Sequence, residues 1–533
     1  MNFLKTITRS MVPMALLITV AFSSCEKDFG DINKSWDNKV YEASIPALYN
    51  SLVASTVDYG GGIVTSFVYQ NSQLAAMYAA TGFRLDNMNG GSWNNYYAAL
   101  ANYRKLSQLI EENEAAANMS NVMNMARTIM AFQTLRTTMV YGDMPYFDAA
   151  KAFTSSEYFR PKYDPQADII KDALAELKTA VDNFTTNASQ VSIGSSETMF
   201  AGDVAKWTKF ANSIRLKYAM VLHAKDASTA NTIIAEALTK PLLAPADVYG
   251  LFPGTVTNFV FDRNGMYRGN NYIRMGTTMW DAMASNRDSS GSGIFDLRCR
   301  ILFEPNAMGK WSPYPQNPPT NVTAEIGNEG KNDPYNLDRL TTFTPSGAAY
   351  VYSPLHIYYT ADKTFPLVFI SGSEISFIKA EIYNRGIGGV TANAATAKTN
   401  YESGITENVK MWYKLANGSS IWSVGKPAAA PTVVELATMM SNAAVDYSSN
   451  SATALSQIYK QHWIALFHQP MDAWTLARRT NYATPSVALG STSPGLNFYR
   501  VTYPQSEIDG NYENWRAVTG GSDAPTVKPW FMP

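Results

Sequence analysis

Two cysteines, Cys25 and Cys299, are all that the 533-residue chain contains, so neither a disulfide framework nor a cysteine-rich metal module can be built from it. Histidine is as scarce. His223, His356, His462 and His468 are scattered, and His462 and His468 do not form an HExxH pair, so the usual zinc spacings are missing. Charged residues make up only 16% of the chain, well under the usual quarter. The 43 Lys and Arg balance 44 Asp and Glu to a net charge of −1. A chain with no basic field cannot hold a phosphate backbone by charge, which argues against nucleic acid as a partner. GxSxG, Walker and dinucleotide fingerprints are also missing, and no run approaches the roughly 20 apolar residues needed to cross a bilayer.

Aromatic and neutral polar residues stand where charge is lacking. Rings are 12% of the chain, with 31 Tyr and 11 Trp. Flat rings stack on sugar faces while amides and hydroxyls bond their rims, so this composition suits a neutral polar ligand. Large secreted proteins also carry many tyrosines, and composition alone does not separate the two readings. Cys299, in Phe295-Asp296-Leu297-Arg298-Cys299-Arg300-Ile301, has no His companion and reads as a small buried hydrophobe.

The first 25 residues carry an address. Lys5 and Arg9 precede an apolar run from Met11 to Phe22, which is followed by Ser23-Ser24-Cys25. That layout is a secretion signal processed at a lipid-bearing cysteine. The segment 1–24 is expected to be removed, leaving Cys25 acylated, and acyl chains anchor stably at about 0.8 kcal/mol per buried methylene. Residues 25–40 are polar and partly acidic and read as a tether.

The expected domain, 41–533, is mainly α. Helical periodicity marks Ser92–Glu114, Asn118–Val140, the stripe Ile170, Ala173, Leu174, Leu177 and Val181, the stretch Trp207–Leu222, and Ser228–Thr239 before Lys240-Pro241. Tyr163-Asp164-Pro165 predicts Asp164 as N-cap with Pro165 at the first helical position. Helices are predicted again over Ser373–Tyr383, Asn393–Trp412, Ser451–Phe467 and Asp472–Arg479. Between the scaffold segments 41–243 and 373–480, residues 244–372 are dense in Pro, Gly, Asn and rings and read as loops with a few short strands, the place to look for ligand contacts. Residues 481–533 read as an irregular wrap. The helices resemble stacked hairpins of tetratricopeptide type, although the 34-residue consensus does not repeat cleanly.

Separated motifs now agree. Tyr141-Gly142-Asp143-Met144-Pro145-Tyr146, followed by Arg160-Pro161-Lys162-Tyr163-Asp164, resembles the YGD-x-PY segment of the SusD/RagB family of nutrient-binding outer-membrane lipoproteins of the Bacteroidota. Ser373-Glu374, Ala380-Glu381 and Arg385-Gly386 are similar to its "S-E … AEA … RG" helix. Gln461, Trp463, Ala473-Trp474 and Arg478-Arg479 resemble its "QkW … eaW … RR" stretch, and Arg500, Tyr503-Pro504, Glu507 and Asn511 its closing "R … YP … E … N". Asn384 and His468-Gln469-Pro470 depart from the family pattern. The resemblance spans essentially the whole chain. It implies a SusD-like α-helical fold of four helical hairpins, and a non-catalytic lid that delivers oligosaccharide, or in some members peptide, to a SusC-like TonB-dependent β-barrel transporter. The acidic residues after Cys25 resemble a surface-export tag, which implies the outer membrane and the cell exterior. A bound calcium would be compatible with the family, but no oxygen-ligand loop of recognisable spacing is present and no cofactor is expected.

Ligand contacts are expected in two regions. Just before the first long helix, the family position reads Arg84 to Asn94; Trp93 either stacks on a sugar, with Arg84, Asp86 and Asn94 bonding hydroxyls, or packs at the helix start as a staple. In the insert, Tyr267, Tyr272, Trp311 and Tyr314 are the ring candidates. Asp143 is expected to bond free backbone amides, and Arg478 and Arg479 to pair with Glu374 or Glu381 inside the scaffold. The rival to a binding protein is a surface glycan hydrolase, which needs two convergent carboxylates. Glu374 and Glu381, seven apart, would lie on one helix face about 10 Å from each other.

Overall fold

Apolar spacing becomes helix within a few residues of expectation in a computed structural model of the protein, which describes residues 44–57, 66–77, 90–253, 273–315, 333–342, 350–480 and 499–533. Ile45–Pro533 forms one compact unit. Its N-terminal half contains α1 (Ile45–Ser55), α2 (Ser66–Asn71), β1 (Ala76–Met77), α3 (Gly90–Glu111), α4 (Ser120–Tyr141), α5 (Gln166–Asn183), α6 (Val204–Leu222) and α7 (Ala227–Thr239). Then come β2 (Val248–Leu251), β3 (Ile273–Arg274), α8 (Thr277–Met283), α9 (Ile357–Ala361) and β4 (Leu367–Ser371). The remainder holds α10 (Gly372–Arg385), α11 (Ala394–Asn417), α12 (Val433–Met440), α13 (Ser451–Ala465), α14 (Pro470–Thr480), α15 (Gln505–Gly510) and α16 (Tyr512–Thr519).

The long helices pack in pairs, α1 with α3, α4 with α5, α6 with α7 and α10 with α11, as the hairpin expectation requires. Because α4 touches α1, α3, α5 and α6, it is buried on nearly every side, and its polar residues need internal partners. Thr128 bonds the carbonyl of Asn124 at 2.7 Å and Gln133 donates to Ser55 Oγ at 2.6 Å. Side-chain caps start the helices where the chain enters them: Asp203 for α6, Asp226 for α7, Asn393 for α11, Asn450 for α13 and the reciprocal Thr432/Glu435 box for α12. Gly386, at φ +65°, closes α10.

One predicted cap is exchanged. Pro165 is extended and α5 begins at Gln166, whose N–H is met by Asp143 Oδ1 at 2.8 Å. Asp164 turns the other way and accepts from the amides of Tyr146 and Phe147, both at 2.9 Å. Each aspartate thus caps the other's segment, a pairing set by the Met144–Asp164 bridge and invisible to local sequence.

Antiparallel β2 and β4 bring the two ends of the insert together, with a bulge at Tyr249/Gly250. A Cβ at Gly250 would lie 2.1 Å from the Leu367 carbonyl, so only glycine permits the approach. The tail from Tyr499 contains α15 and α16 and lies against the N-terminal half: Val501 N bonds Val140 O at 2.9 Å and Asn511 Nδ2 bonds Pro161 O at 2.9 Å.

Candidate ligand-binding site

Two strands of two residues each join the candidate regions. In the antiparallel pair β1–β3, Ala76 faces Arg274 and Met77 faces Ile273. Position 77 is the root of the segment carrying Arg84 and Asp86, and position 273 is the root of the one carrying Tyr267 and Tyr272. Those four residues lie outside the described residues, but the pairing brings together stretches almost 200 positions apart in sequence. Further segments dock on the same junction. Tyr314 N donates to Met275 O at 2.7 Å, Met275 N to Ser353 O at 2.8 Å, and Ser353 N to Ser312 O at 2.8 Å. The Ile273 carbonyl accepts from Tyr335 Oη and, at 2.8 Å, from Arg274 Nη1. Arg274 is fully buried with its guanidinium 5.8 Å from the Tyr335 ring, which holds the junction in one geometry.

Next to this junction, Gln70 and Asn71 end α2 and Ser72-Gln73 turn toward β1, all four buried, with Gln73 at φ +62°. Gln73 Nε2 bonds Gln70 O at 2.7 Å, while Gln73 Oε1 and Asn71 Nδ2 meet no protein partner among the described residues. Buried amide atoms left open in this way are equipped to bond a hydroxyl or an ordered water. Sequence reasoning missed them; a run of amide and hydroxyl residues before a strand was the available signal.

The described ring candidates do not present themselves as platforms. Trp93 is 2% exposed, surrounded by Tyr97, Tyr141 and Tyr503 at 4.9–5.6 Å, and donates to Glu507 Oε1 at 3.2 Å. It packs inside the start of α3, the staple-like alternative, because the C-terminal tail folds over it. Trp311 is 4% exposed and tilts against Trp280 at 5.7 Å, with Arg300 5.5 Å from its ring. Tyr314 is 1% exposed and edge-on to Tyr352 at 4.8 Å. Trp311 and Tyr314, the described ring candidates of the insert, are therefore buried, and Trp93 is packed as in its staple alternative. Asn94, one residue along α3, is exposed.

The family motifs sit in the scaffold. Glu381, fully buried, accepts from Arg479 at 2.7 and 3.0 Å, from Arg385 at 2.7 Å and from Tyr459 Oη at 3.1 Å. Burial alone would raise its carboxyl, but the guanidinium groups of Arg479 and Arg385 pull it down to about 2. Glu374 is held by Lys217 at 2.8 Å, which also meets Asp472 at 3.0 Å. Arg479 therefore finds the expected carboxylate, whereas Arg478 lies 3.7 Å over the Trp474 ring and donates to Tyr499 O at 2.6 Å. In the closing motif, Glu507 joins Trp93 to Tyr163, whose hydroxyl bonds it at 2.8 Å.

A concavity of about 350 Å³ under the Tyr141–Phe147 segment is lined by Tyr103, Arg104, Arg127, Tyr146, Asp172 and Glu176. Its charged groups are already engaged with protein: Arg104 with the carbonyls of Tyr146, Phe147 and Ala149, Arg127 with Glu176, and Asp172 with Tyr146. Cys299 is buried, and burial pushes its thiol up, which keeps it unreactive. Among the described residues no cluster of His, Cys, Asp and Glu could hold a metal ion, and no helix is long and apolar enough to cross a membrane.

Comparison with known proteins gives the fold relatives. Residues 44–504 match the SusD-like family described as starch-binding and associating with the outer membrane. No curated protein matches the sequence. Among solved structures, a SusD homolog from Bacteroides fragilis superposes with TM-score 0.70 at 19% identity, covering 92% of this chain and 100% of that one. One from Parabacteroides distasonis also gives 0.70 at 19% identity, over 92% and 98%. A chitin-binding SusD homolog from Flavobacterium johnsoniae gives 0.62 at 17%, over 91% and 98%.

Proposed function

We propose, from the premise that this chain belongs to the SusD-like family, that it captures a neutral oligosaccharide at the cell surface and delivers it to a partner TonB-dependent transporter, acting as its lid. The observation that supports this ligand site is the β1–β3 pairing, which sets position 77, ahead of Arg84 and Asp86 in the chain, beside position 273, just after Tyr267 and Tyr272. In this reading the tyrosines stack on sugar rings, Arg84, Asp86, Asn94 and the open amides of Asn71 and Gln73 bond hydroxyls, and the buried Trp311 and Tyr314 brace the platform. The family's starch-binding description and a chitin-binding neighbour support a glycan ligand. Acylation of Cys25 would hold the domain at the outer membrane by its tether.

Hydrolysis has no support in the scaffold. Glu374 and Glu381 are both buried and neutralised by cations, so neither can act as an exposed acid or nucleophile. Electrophoresis of the purified protein through gels cast with starch or soluble chitin tests the binding reading, with chromatography of the incubated polysaccharide alongside. Retarded migration with no shortened products is expected. Tyr267→Ala and Tyr272→Ala should each weaken binding by about 1 kcal/mol, roughly fivefold. Release of oligosaccharides would refute a binding-only role, and unchanged affinity in both variants would refute the site. Cys25→Ala should move a folded protein from the membrane fraction to the soluble fraction.

A further inference from the structure

A second cavity, of about 310 Å³, lies at the C-terminal end of α11. Trp422, Tyr413, Phe295, Arg300 and Glu435 line it, with Gly425 and Pro427 forming part of its wall. We propose that this cavity is a second carbohydrate subsite, sized for one or two neutral sugar units. The proposal rests on the glycan-binding reading above and assigns that ligand class an additional place.

The site is built before any ligand arrives. Trp422 stacks on His356 at 3.8 Å and lies 4.8 Å from Tyr358, so its indole is braced. Burial and Arg339 push the His356 imidazole down to about 3, so the brace is neutral at physiological pH. Trp422 Nε1 is spent on the Val424 carbonyl at 2.9 Å, which leaves the ring to act through its surface. The segment bearing Trp422 is tied down at each end. Asp362 accepts from Ser419 Oγ at 2.5 Å and Ser420 N at 2.7 Å; Asn417 Nδ2 bonds Pro427 O at 2.9 Å, and Lys426 Nζ bonds Ser419 O at 2.7 Å. Such preorganisation lowers the ordering cost of binding.

The polar groups suit hydroxyls rather than charge. Arg300 gives one N–H to the Gly291 carbonyl and Glu435 commits Oε2 to Thr432, and among the described residues the other donors and Oε1 bond no protein group. Tyr413 Oη makes no hydrogen bond with protein among the described residues. A cation and an anion lining one aromatic-walled cavity disfavour a ligand of either charge, and together bond the hydroxyl rim of a sugar whose face lies on a ring.

Fluorine NMR of protein labelled with 5-fluorotryptophan tests the subsite, with the Trp422 signal assigned by its loss in Trp422→Phe. The probes are maltohexaose and chitohexaose, and calorimetry on the same samples reads total binding. A saturable shift of the Trp422 signal is expected with at least one probe, its midpoint moving to about fivefold higher concentration in Tyr413→Phe or Arg300→Gln. Tyr413→Phe removes one oxygen and keeps the packing, so its melting temperature should match the parent's. Heat of binding with an unmoved Trp422 signal would overturn the second subsite and leave the proposed function intact. Silence in both measurements with every probe would overturn both.

Discussion

Replacing Glu381 by Gln removes one negative charge from a fully buried site that also holds Arg479 and receives Arg385 from its rim, at 2.7 Å each at the closest approach. Two routes give the size of the loss. Leaving a buried charge without its partner costs about 3–5 kcal/mol. Independently, holding the carboxyl at about 2 instead of its ordinary 4.5 contributes about 3 kcal/mol at neutral pH, at about 1.4 kcal/mol per pH unit. The sign follows from the depression: the native state binds the proton less well than the unfolded chain. This stability is therefore complete above pH 4.5 and fades as pH falls toward 2. Urea unfolding of the parent and of Glu381→Gln at pH 7 should differ by about 3 kcal/mol, and the gap should narrow by pH 3 as the parent loses its advantage. A second variant, Arg479→Met, should lose a similar amount, with only part recovered by Arg385, and the double variant should cost less than the two losses added together. A difference under about 1 kcal/mol at pH 7, or a gap that stays constant down to pH 3, would show that the pair does not stabilise the helix junction.

Other perturbations separate scaffold from site. Trp93→Ala should destabilise the fold by about 3–5 kcal/mol through the cavity left among Tyr97, Tyr141 and Tyr503 and, in samples still folded by circular dichroism, leave sugar affinity unchanged; a folded variant with weakened affinity would return Trp93 to the binding surface. Gly372→Ala should fail to accumulate as folded protein, because the new Cβ would lie 1.7 Å from the Ala244 carbonyl; a normal melting curve refutes this. Asp164→Ala should cost more than Asp143→Ala, since two amides lose their acceptor in the first case and one in the second, with Asp143→Ala costing about 1 kcal/mol in urea unfolding.

Local chemistry made much of this fold legible. The stripe Ile170, Ala173, Leu174, Leu177 and Val181 needs only the helical period to be recognised, and all five side chains are buried where that period puts them. Lys240-Pro241 ends α7 and Gly386 ends α10 for reasons contained in a few residues. Helices α1 and α12 are rich in apolar residues but short, 11 and 8 residues, so a helical period does not stand out in either. The tail shows no helical period in its sequence although α15 and α16 form there, each less than three turns long, too short for a period to stand out.

By itself, the sequence determined the helical class, the order of the motifs, the scarcity of charge that disfavours nucleic acid, and the neutral, ring-rich composition suited to sugars. Tertiary structure alone decided which rings are buried, which aspartate caps which segment, and which of the exposed-looking residues are in fact covered. The physical reason is the same in each case. Trp93 is buried by Tyr503 and Glu507, more than 400 positions away, and positions 77 and 273 become neighbours through a two-residue ladder. Periodicity reports the face an element turns inward, but what lies against that face depends on how distant segments pack.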